Sequence, residues 1–184
     1  MNKKYEFTGE TIDWMGRTLF RIRALCSFGT VVKGELGGFI ESGKNLALSG
    51  AAWVSGDAKV SGDAEVFGDA QVSGAAWVSG AARVFGDAKV FGDARVFGDA
   101  QVSGAADFFL LGPIGSRRAF LTIHGDENIG IRVSTGCFSG SVHEFESAVT
   151  KTHGGSKYEK QYRAAIALAL LMVKPSSKKI AEAA

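Results

Sequence analysis

The sequence predicts a mainly β fold built around a parallel β-solenoid, and three observations carry that expectation. Glycine stands at 50, 56, 62, 68, 74, 80, 86, 92, 98 and 104 without a slip. Valine keeps the same period from Val54 to Val102, and alanine holds a third register from Ala52 to Ala106. A period this short and strict means one small unit stacked on copies of itself.

A helix cannot supply that unit. Its period of about 3.6 residues gives six residues no constant face, and each interior glycine costs about 1 kcal/mol relative to alanine. A short strand can, because it alternates sides. Valine and the alanine two residues before it then point inward, the variable residue between them and the following Ser or Phe point outward, and Gly with Asp or Ala makes the turn. Three strand-and-turn units close a triangular coil of about 18 residues, with coils stacked at about the 4.8 Å spacing of a sheet. The ten or so hexads supply a little over three coils.

The aliphatic residue and the small residue two before it, as in Ala52-Trp53-Val54 and Ala88-Lys89-Val90, resemble the hexapeptide-repeat family. That resemblance implies a left-handed parallel β-helix. Ser or Phe stands where the family often carries Gly, Ala, Asn or Asp, with Gly one place later, so the turn geometry departs and the other handedness stays open. Proteins of this family are usually trimers, and the resemblance implies a homotrimer.

Positions 18 apart form vertical columns on the outside. Glu65 falls under Arg83, Phe67 under Phe85 and Phe91 under Phe109. Opposite charges and aromatic rings in register support neighbouring strands. By the same phase Trp53, Trp77 and Phe97 point outward. Exposed apolar patches mark contacts, so Trp53, Phe67, Trp77, Phe85, Phe91 and Phe97 are the expected oligomer interface.

Residues 1–47 are expected to form an N-terminal β cap covering the open end of residues 48–108. It contains a strand from Tyr5, a turn at Trp14-Met15-Gly16, a strand over Thr18–Leu25, and Leu36–Ser42 feeding the first coil. Residues 109–175 are expected to form a small α+β module. Phe108–Gly115 reads as an apolar exit with a Gly-Pro turn, and 119–123 with 129–133 as a hairpin. Ser141-Val142-His143-Glu144 has the spacing of a capping box, so a helix is expected over 142–153, stopping at Gly154. Ser156 through Glu159 repeats the signal for a second helix ended by Pro175, with Ala165, Ile166, Ala169 and Leu170 packed inward. Residues 176–184 read as a frayed tail.

Over nearly its full length this layout resembles hexapeptide-repeat proteins encoded by phages and prophages. The segments that carry it are Tyr5–Thr11, Leu36–Ser42, Gly112–Arg117, Gly136–Gly140, Glu144-Phe145 and Thr152-His153-Gly154.

Net charge is only +2, with seven Lys/Arg against five Asp/Glu in 1–47, four against seven in 48–106, and ten against seven in 107–184. That balance excludes the strongly basic face of a duplex-binding protein. No apolar run approaches a membrane span and the N-terminus lacks a signal-peptide core, so a cytoplasmic location is expected, in the host if the protein is phage-encoded. Cys26 and Cys137 form neither a disulfide framework nor a metal motif, and each is expected to be buried.

No cofactor and no metal site is expected. An acyltransferase needs a histidine base on a loop interrupting the coils. The coils run uninterrupted, and His124, His143 and His153 all lie beyond them. A Cys137–His153 nucleophile pair is the other catalytic reading, ranked below a buried cysteine. A non-enzymatic binding module fits better. Ser116, Arg117, Arg118, Arg132, His153, Lys157 and Tyr158 cluster near turns and helix starts, where anions bind; arginine grips phosphate or carboxylate and tyrosine stacks on a base. The expected partner is a small anionic, nucleotide-like ligand, and the phage resemblance implies that it is a host defence signal held in sequestration. A structural or protein-binding scaffold using the aromatic columns is the rival reading.

Overall fold

The computed structural model describes residues 3–104, 108–126 and 128–175. Ala106 and the expected tail at 176–184 lie outside the described residues. The chain divides into two compact units, Met1–Gly98 with Val102–Ala105, and Asp99–Gln101 with Ala106–Ala184.

The first unit is a β-solenoid of about four turns with parallel stacked strands. The two-residue strands of the repeat are β4 (Trp53–Val54), β5 (Lys59–Val60), β6 (Glu65–Val66), β7 (Gln71–Val72), β8 (Trp77–Val78), β9 (Arg83–Val84), β10 (Lys89–Val90), β11 (Arg95–Val96) and β12 (Gln101–Val102). They are preceded by β1 (Tyr5–Trp14), β2 (Arg17–Ala24) and β3 (Leu36–Ile40). Strands pair in parallel with the strand three along: Trp53 with Gln71, Lys59 with Trp77, and Glu65 with Arg83. That is the 18-residue coil read from the period. Every valine from Val54 to Val102 and every alanine from Ala52 to Ala100 in the repeat registers is fully buried, filling the interior with two small side chains per hexad.

The coil begins earlier than the strict repeat does. Ile40 pairs with Val60, and Leu46 bridges to Val66. Residues 36–49 therefore contribute wall positions without the hexad signature, which accounts for a turn beyond the expected three. Ahead of them β1 and β2 form an antiparallel hairpin, closed by Met15 and Gly16 at positive φ, and β2 pairs antiparallel with β3. One wall is thus extended into a six-stranded sheet, β1-β2-β3-β5-β8-β11.

The outer columns behave partly as expected. Arg83 Nε lies 3.4 Å from Glu65 Oε2, and the rings of Phe67 and Phe85 stack at 5.1 Å and 4°. Trp53 is a correction: it is 1% exposed. It occupies an outer column with Gln71 and Lys89, but Tyr5 and Phe28 lie edge-on to it at 6.5 and 5.4 Å, so the N-terminal segment covers it. Trp77 is half-buried between Trp14 at 5.6 Å and Phe97 at 4.6 Å. Phe91 is 53% exposed. Lys4 is buried too: its ammonium donates to the carbonyls of Ala52 and Ala47 at 2.6 and 3.3 Å, and burial pulls its pKa down to about 8.

The second unit is a four-stranded antiparallel meander, β13 (Phe108–Ile114), β14 (Ala119–Asp126), β15 (Gly130–Thr135) and β16 (Phe138–Ser141), followed by α1 (Val142–His153) and α2 (Lys157–Met172). The expected hairpin is β14–β15. The apolar exit is itself a strand, with a register irregularity between Leu111 and Ile114 where Gly112 and Pro113 fall. Phe109 is a second correction: expected to point outward, it is buried with Leu121, Ile123 and Val133 in this unit's core.

Both helices start where the serines place them. Ser141 accepts from the Glu144 N–H while Glu144 Oε2 accepts from the Ser141 N–H at 2.8 Å, a complete capping box. Ser156 accepts from the N–H groups of Tyr158 and Glu159, but Glu159 reaches one residue further back, to the Gly155 N–H at 2.7 Å. Tyr162, Ala165, Ile166 and Ala169 make the buried face of α2, and Val173, the residue capping its C-terminus, is buried beside them. Leu170, expected inward, is 46% exposed: one residue past Ala169, it sits at the edge of that face and not at its centre. Among the described residues no helix is long and apolar enough to cross a membrane.

Candidate functional site

A cavity of about 390 Å³ opens in the second unit. Four segments supply its walls: the β13–β14 turn, the β15–β16 turn, one face of α1 from Phe145 to His153, and Tyr162 of α2. Each is local chemistry brought to one place by the meander. Gly115 has φ 71° and Arg118 φ 49°, so the chain reverses tightly and leaves Ser116 and Arg117 at the tip. Gly136, at φ 55°, does the same for Cys137 and Phe138. On α1, Phe145, Ala148, Val149, Thr152 and His153 repeat at helical spacing and line the third side.

The floor is aromatic. Phe138 and Phe145 lie 5.2 Å apart, Phe145 meets Tyr162 edge-on at 5.4 Å, and the His153 ring stacks on Tyr162 at 5.8 Å and 29°. Gly115 has a second reason to be glycine, since a Cβ there would lie 1.9 Å from the Tyr162 hydroxyl. The adjoining Gln161 holds the same turn by accepting from the Gly115 N–H at 3.2 Å. Burial raises the pKa of Tyr162, with the positive charge of Arg117 pulling the other way, so the phenol is neutral at physiological pH.

The rim is polar. Arg117 Nη1 donates to Cys137 Sγ at 3.7 Å. A thiol is a weak acceptor, so this contact orients the guanidinium without satisfying its five donors. Cys137 is exposed, as is Cys26, against the expectation that both are buried; each sits in a bend or turn outside the regular strands.

Of the residues singled out from the sequence, Ser116, Arg117 and His153 line this cavity. Tyr158 stands behind His153, its ring edge-on at 5.8 Å, and Lys157 lies 5.2 Å over the Tyr158 ring. Arg118 shares the turn with Arg117 but is absent from the lining. Arg132 is held elsewhere, its Nε 2.6 Å from Asp126 Oδ2. The fully buried carboxyl of Asp126 would be raised by burial, but that bond and the N–H groups of Asn128 and Ile129 outweigh burial and hold its pKa low.

Sequence reasoning missed Tyr162, Phe138, Phe145, Thr135 and Thr152. The helical spacing of Phe145, Val149 and Thr152 was available as a signal; nothing in the sequence announced Tyr162 as their partner across the cavity. Among the described residues no group of three or more His, Cys, Asp or Glu is placed to hold a metal ion.

No family model matches the chain, and a search of curated proteins gives no match either.

Proposed function

We propose that this protein binds a small anionic, nucleotide-like ligand in the cavity of its second unit and holds it without chemical change. The observation that carries this reading is the convergence of Ser116, Arg117 and His153 on an aromatic floor within about 390 Å³. That volume lies in the range of small-molecule sites, about 300–1,000 Å³. Arg117 grips the anionic group bidentately, the hydroxyls of Ser116, Thr135 and Thr152 fix its orientation, and the planar part of the ligand lies against the rings.

Support for the biological sense of this binding comes from the resemblance to phage-encoded hexapeptide-repeat proteins. It favours sequestration of a host defence signal in the host cytoplasm, left-handed coils, a homotrimer, and a capping role for the β1–β2 hairpin. The packing of Trp53 and Trp77 within their own unit weighs against the rival reading, in which the aromatic columns form a protein-binding surface.

The test is mass spectrometry of small molecules released by denaturing protein purified from an infected or defence-triggered host, followed by calorimetric titration with whatever is released. Arg117→Ala is expected to weaken binding roughly tenfold to a hundredfold, the range for losing a charged hydrogen bond. A protein that emerges empty, and that binds neither mononucleotides, cyclic oligonucleotides nor ADP-ribose derivatives in calorimetry, sinks the reading.

A further inference from the structure

Two hydroxyls in the walls of the cavity have no partner among the described residues. Thr135 ends β15, and its Oγ1 is buried without a hydrogen bond. Tyr162 is 7% exposed, and its hydroxyl makes no hydrogen bond to a described residue either. A buried donor left unpaired costs stability, and a bound ligand is one way to satisfy it.

Both hydroxyls stand near the guanidinium of Arg117. The Tyr162 oxygen packs against Gly115, where a Cβ would come within 1.9 Å of it, and Arg117, two residues on, is near enough for its charge to act on the phenol. Thr135 stands two residues before Cys137, whose Sγ accepts from Arg117 Nη1. Burial keeps the proton on the phenol, so Tyr162 can donate to an anion that a phenolate would repel.

We infer, on the strength of the ligand-binding reading above, that the anionic group held here is a phosphoryl group, with Tyr162 and Thr135 donating to the oxygens that Arg117 leaves free. A carboxylate is planar with two oxygens, and the fork of one arginine engages both. A phosphate monoester presents three acceptor oxygens on a tetrahedral centre. The donors come from three elements: Arg117 from the β13–β14 turn, Thr135 from the end of β15, and Tyr162 from α2. Donors on three walls suit the tetrahedral anion. Among the described residues no Asp or Glu lines the cavity, so nothing in the lining repels a second negative charge.

The test is calorimetric titration of the full chain with the four common ribonucleoside 5′-monophosphates and, for the base that binds tightest, the matching nucleoside 5′-carboxylate. The monophosphate is expected to bind about tenfold more tightly than the carboxylate, the worth of one hydrogen bond to a charged group. Tyr162→Phe keeps the ring in the core and removes only the O–H, and Thr135→Val keeps the side-chain shape. Each is expected to weaken the monophosphate about tenfold and leave the carboxylate unchanged. Thr135→Ser retains the hydroxyl and is expected to bind as the unaltered chain does. A chain that binds neither compound sinks the ligand-binding reading and this inference with it. One that binds both alike, or whose variants lose both alike or lose nothing, overturns this inference and leaves that reading standing.

Discussion

Gly115 shows how much one position decides. Its φ of 71° lies in the left-handed region, and the Tyr162 hydroxyl occupies the space a side chain would need. Gly115→Ala therefore forces both a strained backbone and a displaced ring. The expected destabilisation is about 1–3 kcal/mol, the range for overpacking a filled site, measured as a shift in the urea midpoint at constant slope. Because Tyr162 carries the stack with His153, ligand binding is expected to weaken along with stability. The residue scale is also where the sequence was least legible. Gly115 was readable as a turn residue, but Tyr162 is 47 positions further on and no local pattern ties them. Arg132 failed for the opposite reason: a basic residue near a turn looks free until Asp126, six residues earlier, takes it.

Elements were legible wherever a periodic or capping signal had a single physical meaning. The i to i+18 pairing followed from the hexads because only a strand keeps a six-residue face. Helix α1 followed from Ser141 and Glu144, which satisfy each other's backbone N–H groups. Ser141→Ala is expected to cost about 1 kcal/mol, seen as faster amide exchange in the first turn of α1 before any change elsewhere. Legibility failed where one signal had two meanings. Gly-Pro reads as a turn, yet Gly112-Pro113 lies inside β13, at an irregularity in its pairing with β14. Alternation told correctly that Trp53 faces out of its coil; it could not say that Tyr5 and Phe28, more than 20 positions earlier, pack over it. Residues 36–49 carry wall positions but no hexads, so the first turn was invisible.

For the molecule as a whole, acid should act in two stages, through different groups. His124 is fully buried, its Nε2 has no hydrogen-bond partner among the described residues, and burial lowers its pKa. Below about pH 6.5 an unfolded histidine binds a proton that the folded one refuses, so stability falls as pH drops from there. The carboxyl of Asp126 is also lowered, and its stabilisation is complete above about pH 4 and lost as pH falls through the folded value. Urea midpoints measured from pH 8 to 3 are expected to decline in these two windows. His124→Asn should flatten the upper slope, and Asp126→Asn should reduce the lower one, which Glu41, Asp63, Glu144 and Glu159 share because their pKa values are lowered too.

The solenoid's pairing rule carries a consequence for how such a gene can change length. Each wall residue meets the one 18 positions away, so three hexads are a movable part: copying or dropping all three returns every later strand to its own wall. Gain or loss of a single hexad keeps the Gly, Val and Ala registers intact and still advances each later strand by one wall, moving Phe85 off Phe67 and Arg83 off Glu65. Unequal exchange between repeats can propose any multiple of six. The outer columns accept only every third.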